Sequence, residues 1–325
     1  MCKCQRDRYK DPATENEKVI NLREEVIKRL EQTVGNDQFL RNEPMKKHTT
    51  YHIGGNVAYY ITPHNETALM CILDILQDEK IPYHVTGRGS NILCDDTDFD
   101  GAIINLDGTL NDYYFEPDGT LVAQAGCSII NLSVEAMKRS LSGLEFASGI
   151  PGSVGGGLYM NAGAYRSNLS SLLIDVCVLK DGCIEWIKKD DLDYGYRHSA
   201  FQEHKDWTIL AGRFKLEKAE HDDIRDLMDS RRKRRMDSQP LNMPCAGSVF
   251  RNPETIPAWK LIEEMGLRGH QIGGAQVSTK HCNFIVNATG DATASDVRAL
   301  ITMIQAKAKE LYDIDLIPEV EQMHW

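Results

Sequence analysis

The sequence lacks the excess of basic residues that non-specific nucleic-acid binding requires. Its 325 residues include 37 Lys and Arg against 48 Asp and Glu, which gives a formal net charge of −11. Binding along a phosphate backbone needs a basic surface, so this balance argues against nucleic acid as a partner. An anionic ligand would have to be held by a few local cations or by backbone N–H groups.

Long apolar runs are also missing. No stretch of about 18 uncharged apolar residues occurs, and the amino terminus leads into polar sequence without the apolar core of a signal peptide. Apolar residues nevertheless make up 42% of the chain, which is typical of a globular protein with a substantial core. We therefore expect a cytoplasmic protein with no membrane partner, folded as two domains or one large one.

Several chemical motifs are absent. The nine cysteines are scattered, with no CxxC pair and no Cys/His cluster at zinc spacing, so reduced thiols and no metal site are expected. There is no GxxxxGK[ST] phosphate loop and no GxSxG nucleophile elbow. Residues 87–91 (GRGSN) begin like a dinucleotide fingerprint, but the third glycine is missing and Ile92-Leu93 continues as a strand. A Rossmann unit is therefore disfavoured.

Glycine-rich loops are what the chain has instead. Residues 149–157 (GIPGSVGGG) form a second such loop after the one at 87–91. Glycine allows close backbone approach, so that successive N–H groups can converge on a phosphate without charged side chains. Either loop alone is explained by a tight turn, whereas two on an acidic chain favour a bound pyrophosphate.

The alternation of short strands and helices predicts an α+β fold. An amphipathic helix is expected before residue 40, with Val19, Ile20, Leu22, Val26, Ile27 and Leu30 on its apolar face. A domain boundary is expected near residue 217, which gives a helical extension (1–40), a first domain (41–217) and a second domain (218–325). The predicted strands are 57–62, 83–86, 102–106, 121–125, 173–180, 208–216, 247–250, 283–287 and 315–321. The predicted helices are 66–78, 129–141, 221–235, 258–265 and 295–312.

Two features allow more than one interpretation, and a third has only one. The basic run Arg231–Arg235 looks in isolation like a nucleic-acid or targeting patch. The favoured interpretation is a set of cations at a helix carboxyl end, where they suit the helix dipole, and the other is a contact to a phosphorylated ligand. Ser248, in a small-residue turn, is either a turn residue or a presented hydroxyl. Glu319, after the last predicted strand, is by itself expected to be solvated.

In this order, the segments resemble the UDP-N-acetylenolpyruvoylglucosamine reductase family. The resemblance extends from about Thr49 to Val320. The stretch between Arg197 and Ser248 is short and lacks a tyrosine-bearing insertion, so it is similar to the insertion-free subgroup. The motifs that carry the resemblance are residues 49–55, 87–91, 149–165, 196–199, 246–253, 272–284 and 318–320.

The resemblance implies a fold and an activity. The fold is an FAD-binding fold of the vanillyl-alcohol-oxidase (PCMH-like) class followed by a smaller α+β substrate-binding domain. The activity is NADPH-dependent reduction of UDP-N-acetylglucosamine enolpyruvate to UDP-N-acetylmuramate, a cytoplasmic step of peptidoglycan precursor synthesis, by a protein expected to be monomeric. FAD should be non-covalent, because residues 87–91 contain no histidine. The alternative is an FAD-dependent small-alcohol or sugar oxidase of the same class.

The resemblance also implies residue roles. Arg197 and Glu319 would stabilise the negative charge that develops at C2 and the carboxylate, and Ser248 would protonate C2. The implied substrate-binding residues are Tyr196, Arg251, Asn252, Gln276 and Lys280. The implied cofactor-binding residues are Gly87, Arg88, Gly89, Ser90, Asn91, Gly149, Ile150, Pro151, Gly152, Ser153, Gly155, Gly156, Asn161, Ala162 and Gly163.

The chain departs from the family pattern in three places. Arg166 stands where a glycine is usual, and His52 stands where arginine is common. Few residues follow Glu319, so its enclosure is expected to depend on cover from the N-terminal helix.

Overall fold

The computed structural model describes residues 24–35 and 38–323. Across these residues, every helix is too short or too polar to cross a lipid bilayer. The helices are α1 (24–34), α2 (Glu66–Asp78), α3 (Ile129–Lys138), α4 (Val154–Tyr159), α5 (His221–Ser238), α6 (Ala258–Glu264) and α7 (Ala294–Tyr312). The strands are β1 (Phe39–Pro44), β2 (Asn56–Ile61), β3 (Tyr83–Thr86), β4 (Ile92–Cys94), β5 (Phe99–Asn105), β6 (Tyr113–Phe115), β7 (Thr120–Gln124), β8 (Leu141–Ser142), β9 (Gly163–Ala164), β10 (Ser167–Asn168), β11 (Leu173–Lys180), β12 (Cys183–Lys188), β13 (Thr208–Lys215), β14 (Glu217–Lys218), β15 (Gln271–Ile272), β16 (Ala275–Val277), β17 (Ile285–Asn287) and β18 (Glu321–Met323).

The first sheet has the strand order β1-β2-β5-β3, in which β2 and β3 both run parallel to β5. Helix α2 packs on it because Leu69, Ile72 and Leu76 recur at helical spacing and are fully buried. Asn65 caps this helix by accepting a hydrogen bond from the Ala68 amide at 2.8 Å. Helix α1 adds Leu30 to the same core.

The second sheet is antiparallel, with the order β12-β11-β13-β7-β6. Its apolar residues join those of the first sheet, α2, α3 and α4 in one hydrophobic core that ends at Leu216. The two glycine-rich loops lie between these elements: residues 87–91 connect β3 to β4, and residues 149–157 lead into α4. Both loops are therefore anchored on well-packed secondary structure.

A second core is formed by α6, α7 and the small sheet β15-β16-β17. Most of it comes from residues 246–320, but Tyr51, Ile53 and Leu93 of the first part contribute to it. Strand β18 then runs parallel to β4, so the end of the described chain returns to the first part. The proposed boundary near residue 217 lies between Leu216, the last residue of the first core, and Ala246, from which most of the second core follows, and it stays a proposal.

Most predicted elements are confirmed. Helix 66–78 and strands 83–86 and 173–180 have the predicted bounds, and α5 continues three residues past the predicted end. The strands predicted at 247–250 and 315–321 were wrong: only an isolated bridge joins Phe250 to Pro318, and regular pairing begins at Glu321. Pro318 has no N–H to donate, which prevents a continuous ladder there. Val19, Ile20 and Leu22 of the predicted amphipathic helix lie outside the described residues.

The hairpin β9-β10 places Arg166 at a position whose backbone conformation favours glycine. Ala164 pairs with Ser167, so Tyr165 and Arg166 form a two-residue turn. Both have positive φ, 55° and 63°, as in the type I′ turn that suits a hairpin. An arginine at such a position carries a steric cost that glycine does not.

Replacing Arg166 with glycine should therefore stabilise the protein. The expected gain in the free energy of unfolding is about 0.5–1 kcal/mol, because relief of the left-handed conformation exceeds the extra chain entropy of glycine. Urea denaturation measures it. Arg166→Ala is the control, since alanine keeps the unfavourable φ. If Arg166→Ala stabilised as much as Arg166→Gly, the cause would be loss of the side chain and not the turn.

Candidate active site

A large cleft of about 1880 Å³ opens between the two cores. Pockets for a single drug-sized ligand are about 300–1,000 Å³, so this one has room for a dinucleotide and a second ligand. It is lined by residues 87–91, by most of residues 149–157, and by Arg197, Ser248 and Glu319. The three residues predicted to act in catalysis and the two predicted cofactor loops therefore face the same space.

The first loop needs its glycines for close packing. Gly89 has a φ of 62°, and a Cβ there would lie 2.1 Å from the His48 carbonyl oxygen. A Cβ at Gly87 would lie 2.2 Å from Ser153 Oγ, so the two glycine loops touch at this point. Arg88 is engaged within the protein, since its Nε lies 3.1 Å from an Asp107 carboxylate oxygen. The Arg88 guanidinium is therefore held by Asp107, and the backbone of this loop faces the cleft.

The second loop presents Gly149, Gly152, Gly155 and Gly156 to the cleft, together with Ile150, Pro151 and Ser153. Ser153 begins α4, where its Oγ accepts a hydrogen bond from the Gly156 amide. The two loops touch and form a cradle, in which a Cβ added at Gly87 or Gly155 would meet protein atoms at 2.2 and 3.1 Å. This cradle, within a cleft of dinucleotide size, fits the pyrophosphate of FAD.

Asn161, a predicted cofactor contact, does not line the cleft. Its carboxamide donates to the Gly195 carbonyl at 2.7 Å and accepts from the Ser170 amide at 3.1 Å. It therefore holds the turn that precedes Arg197. Ala162 and Gly163, which follow it, do line the cleft.

Arg197 and Glu319 form an ion pair inside the cleft. Arg197 Nε donates to Glu319 Oε1 at 2.5 Å, and its Nη2 donates to the Gly163 carbonyl at 2.7 Å. The two side chains are 19% and 15% exposed. Burial raises the pKa of the Glu319 carboxyl, and the charges of Arg197 and Arg251 oppose that rise.

Ser248 lies next to this pair because two distant chain segments run side by side. The Glu319 amide donates to the Val249 carbonyl at 2.7 Å, and the Arg251 amide donates to the Ile317 carbonyl at 2.9 Å. Asn283 clamps the Ser248 segment by exchanging two hydrogen bonds with the Phe250 backbone, at 3.0 and 2.8 Å. A buried asparagine just before an apolar strand was the available signal for this role.

Asn91 connects the first glycine loop to Glu319. Its Nδ2 donates to the Glu319 carbonyl at 3.0 Å, and its own carbonyl accepts from the Glu321 amide at 2.9 Å. Together with the β18–β4 pairing, these bonds enclose Glu319. The described part of α1 packs elsewhere, with Arg29 paired to Glu79 of the first sheet region, so the expected cover of Glu319 by the N-terminal helix is not found there.

The predicted substrate-binding residues lie outside the lining of the cleft. Tyr196 is 56% exposed, and its hydroxyl oxygen lies 3.4 Å from the Asn252 amide, a long hydrogen bond. Lys280 Nζ donates to the Met236 carbonyl near the end of α5, at 2.6 Å. The residues of this set are Tyr196, Arg251, Asn252, Gln276 and Lys280, and their contact with substrate stays a prediction.

The basic run on α5 divides between two environments. Arg231 and Arg234 stack on the Tyr165 ring at 5.2 and 5.9 Å, and the Tyr165 hydroxyl donates to the Arg231 carbonyl. Arg232 and Arg235 line the cleft. Contact of Arg232 or Arg235 with a phosphorylated ligand stays a prediction.

The cleft has the size for a dinucleotide and is lined by the guanidinium of Arg197, the hydroxyl of Ser248 and the carboxyl of Glu319, as expected of an FAD-binding oxidoreductase. Residues 57–182 match the FAD binding domain family, and residues 239–323 match the family described as UDP-N-acetylenolpyruvoylglucosamine reductase, C-terminal domain. The chain belongs to the UDP-N-acetylenolpyruvoylglucosamine reductase (MurB) family, with FAD as cofactor and NADPH as reductant.

The similarity extends over almost the whole chain. The UDP-N-acetylenolpyruvoylglucosamine reductase of Bacillus velezensis is 43% identical over 301 residues, covering 92% of this chain and 98% of that protein. The enzyme of the same name from Clostridium botulinum (strain 657) is 43% identical over 302 residues, covering 93% and 97%. The crystal structure of the Thermus caldophilus enzyme superposes with a TM-score of 0.75 at 31% identity, covering 88% and 98%.

Breaking the Arg197–Glu319 pair should make stability depend on pH. Arg197→Met leaves Glu319 buried without its counter-charge, so the pKa of that carboxyl should rise further. When a carboxyl has a higher pKa in the folded protein than in the unfolded one, the protein loses stability as the pH rises through the folded-state pKa. The free energy of unfolding of Arg197→Met should therefore fall below that of wild type above about pH 5, by up to about 3 kcal/mol.

Urea denaturation from about pH 4 to pH 8 measures this deficit. Arg268→Met, which breaks a surface pair with Glu263, is the control and should give a small deficit that does not vary with pH in this way. A pH-independent deficit for Arg197→Met would contradict the assigned coupling.

Proposed function

We propose that the protein reduces UDP-N-acetylglucosamine enolpyruvate to UDP-N-acetylmuramate with NADPH. The reaction belongs to cytoplasmic peptidoglycan precursor synthesis, and the protein acts as a monomer of the insertion-free subgroup. The observation that carries this proposal is the convergence of Arg197, Glu319 and Ser248 on one cleft with the two glycine loops. Residues 41–217 hold the cofactor, and residues 218–325 bind the substrate.

The two glycine loops and residues 161–163 hold FAD non-covalently. Gly87, Gly89, Gly149, Gly152, Gly155 and Gly156 supply backbone to the pyrophosphate, while Asn91 and Asn161 act through the backbone segments they hold. When bound, FAD carries hydride from NADPH to the enolpyruvyl group. The rest of the chemistry falls to side chains of the protein.

Arg197 stabilises the negative charge that develops on the enolpyruvyl group. Its guanidinium is oriented by hydrogen bonds from Nε to Glu319 and from Nη2 to Gly163, and Nη1 makes none within the described residues. That free edge can meet a substrate carboxylate. Glu319, whose pKa is raised by burial, can be protonated and donate a hydrogen bond to the same developing charge.

Ser248 delivers the proton that completes the reaction at C2. A serine hydroxyl is a very weak acid, so it donates only to a strong base such as the carbanion. The backbone clamp at Asn283 holds its segment beside Glu319. Tyr196, Arg251, Asn252, Gln276 and Lys280 contact the nucleotide sugar, and of these Tyr196 and Arg251 adjoin the reacting groups most closely.

Replacing Ser248 with alanine should separate the two half-reactions. NADPH should bleach the flavin of Ser248→Ala at the wild-type rate, because hydride transfer from NADPH needs no proton from Ser248. Reoxidation by the enolpyruvyl nucleotide sugar should slow by about 10²–10⁴-fold, the usual loss for a missing general acid. Stopped-flow absorbance of the flavin measures both rates.

Ser230→Ala is the control, since Ser230 is exposed on α5 and bonds the Leu227 carbonyl. Survival of both half-reactions in Ser248→Ala would refute the proton-donor role. Rapid reoxidation of the wild-type protein by air without the nucleotide sugar would instead favour an oxidase.

Flavin attachment gives a separate test. Because residues 87–91 contain no histidine, acid or heat denaturation should release all of the flavin into the supernatant. Absorbance of supernatant and pellet measures the division. Flavin that stays with the precipitated chain would show a covalent bond.

A further inference from the structure

Arg235 is a partly buried cation with no carboxylate beside it in the described protein. It lies on α5, lines the cleft, and packs against Gly149, where a Cβ would come within 2.9 Å of its Cδ. Its Nε is buried without a hydrogen-bond partner, and the guanidinium makes no ion pair with residues 24–35 or 38–323. The titratable groups that face it are the Tyr165 phenol and the Cys245 thiol, and neither is a carboxylate.

Three other partly buried arginines are paired with carboxylates, whereas Arg251 shares with Arg235 a buried Nε that has no hydrogen-bond partner. Arg197 bonds Glu319, Arg213 bonds Asp175, and Arg298 bonds Asp95. A desolvated guanidinium without a counter-charge is costly, and burial lowers the pKa of Arg235 accordingly. Such a cost is expected at a position where a ligand supplies the missing charge.

The surroundings hold Arg235 in place for that purpose. The Tyr165 hydroxyl donates to the Arg231 carbonyl at 2.8 Å, which fixes α5 against the β9-β10 hairpin one turn before Arg235. Gly149 has no positive φ, so its backbone conformation does not require glycine. Glycine is needed there because the Arg235 side chain occupies the space of a Cβ. Any side chain at position 149 would push the guanidinium away from the loop.

We propose that Arg235 is the counter-charge for an anionic oxygen group, a phosphate or a carboxylate, of a ligand bound in this cleft beside Gly149. The proposal depends on the proposed function only in that the ligands are FAD, NADPH and a nucleotide sugar. FAD is the favoured source, because Gly149 belongs to the loop proposed to hold its pyrophosphate.

Arg235→Met tests this by removing the charge at similar length, and Arg235→Lys retains it. The control is Arg234→Met, since Arg234 stacks on Tyr165 outside the cleft. In apoprotein titrated with FAD and followed by flavin fluorescence, Arg235→Met should weaken binding about 10- to 100-fold, as for a lost charge-assisted hydrogen bond. Arg235→Lys should lose less, and Arg234→Met should stay within about twofold.

Two further measurements separate a ligand contact from a structural role. Thermal unfolding of the apoprotein should show Arg235→Met at least as stable as wild type, whereas the FAD-loaded variant should be less stable than loaded wild type. If the apoprotein does not remain folded, the rate of FAD release from diluted holoprotein replaces the titration, and Arg235→Met should release faster by the same factor.

The source of the anion is settled by a second titration. NADP⁺ and the enolpyruvyl nucleotide sugar are titrated separately into holoprotein and followed by the flavin absorbance change. Normal FAD affinity with weakened binding of one of these would assign Arg235 to that ligand. If Arg235→Met binds all three within about twofold of wild type, or destabilises apo and loaded protein equally, the proposal is overturned. That result would leave the Ser248 half-reaction test unaffected.

Discussion

The position of Glu319 depends on hydrogen bonds from three distant parts of the chain. Its amide bonds the Val249 carbonyl, its carbonyl bonds Asn91, and its carboxylate bonds Arg197. One residue thereby connects the cofactor loop, the Ser248 segment and the arginine turn. A shift of any one of them would move the carboxyl relative to the other two, so the geometry of the whole site follows from this junction.

The net charge of −11 is compatible with polyanionic ligands because the cleft supplies positive potential locally. Nine glycines line it, and so do the cations Arg88, Arg197, Lys205, Arg225, Arg232 and Arg235. Arg197 is paired with Glu319, and Arg88 is paired with Asp107, so carboxylates of the protein partly neutralise both charges. Arg232 and Arg235 line the cleft without an ion pair to the described residues, and Arg235 is the less exposed of the two and lies against Gly149.

Much of this arrangement could be predicted from the sequence, because glycine spacing and apolar periodicity are local signals. Helix 66–78 and the loop at 87–91 follow from residues that are neighbours in the chain. The clamping roles of Asn91, Asn161 and Asn283 could not be predicted in the same way. An amide side chain bonds whatever backbone the fold brings near it, and for Asn91 that backbone lies 228 residues away. In the sequence, Arg235 is one of five consecutive basic residues. Only its buried Nε and its contact with Gly149, which the sequence does not show, distinguish it from the other four.

The parallel pairing of β18 with β4 has a consequence for synthesis of the chain. Glu321 pairs with Ile92, so the strand that fixes Glu319 is made long after its partner. The core of the first part, which ends at Leu216, can form on the ribosome well before then, with its glycine loops in place. A nascent chain can therefore acquire a nucleotide-binding surface while it still lacks the means to turn over a substrate. The segment that carries Glu319 reaches its place only when the last strand docks, as a late, long-range step in folding.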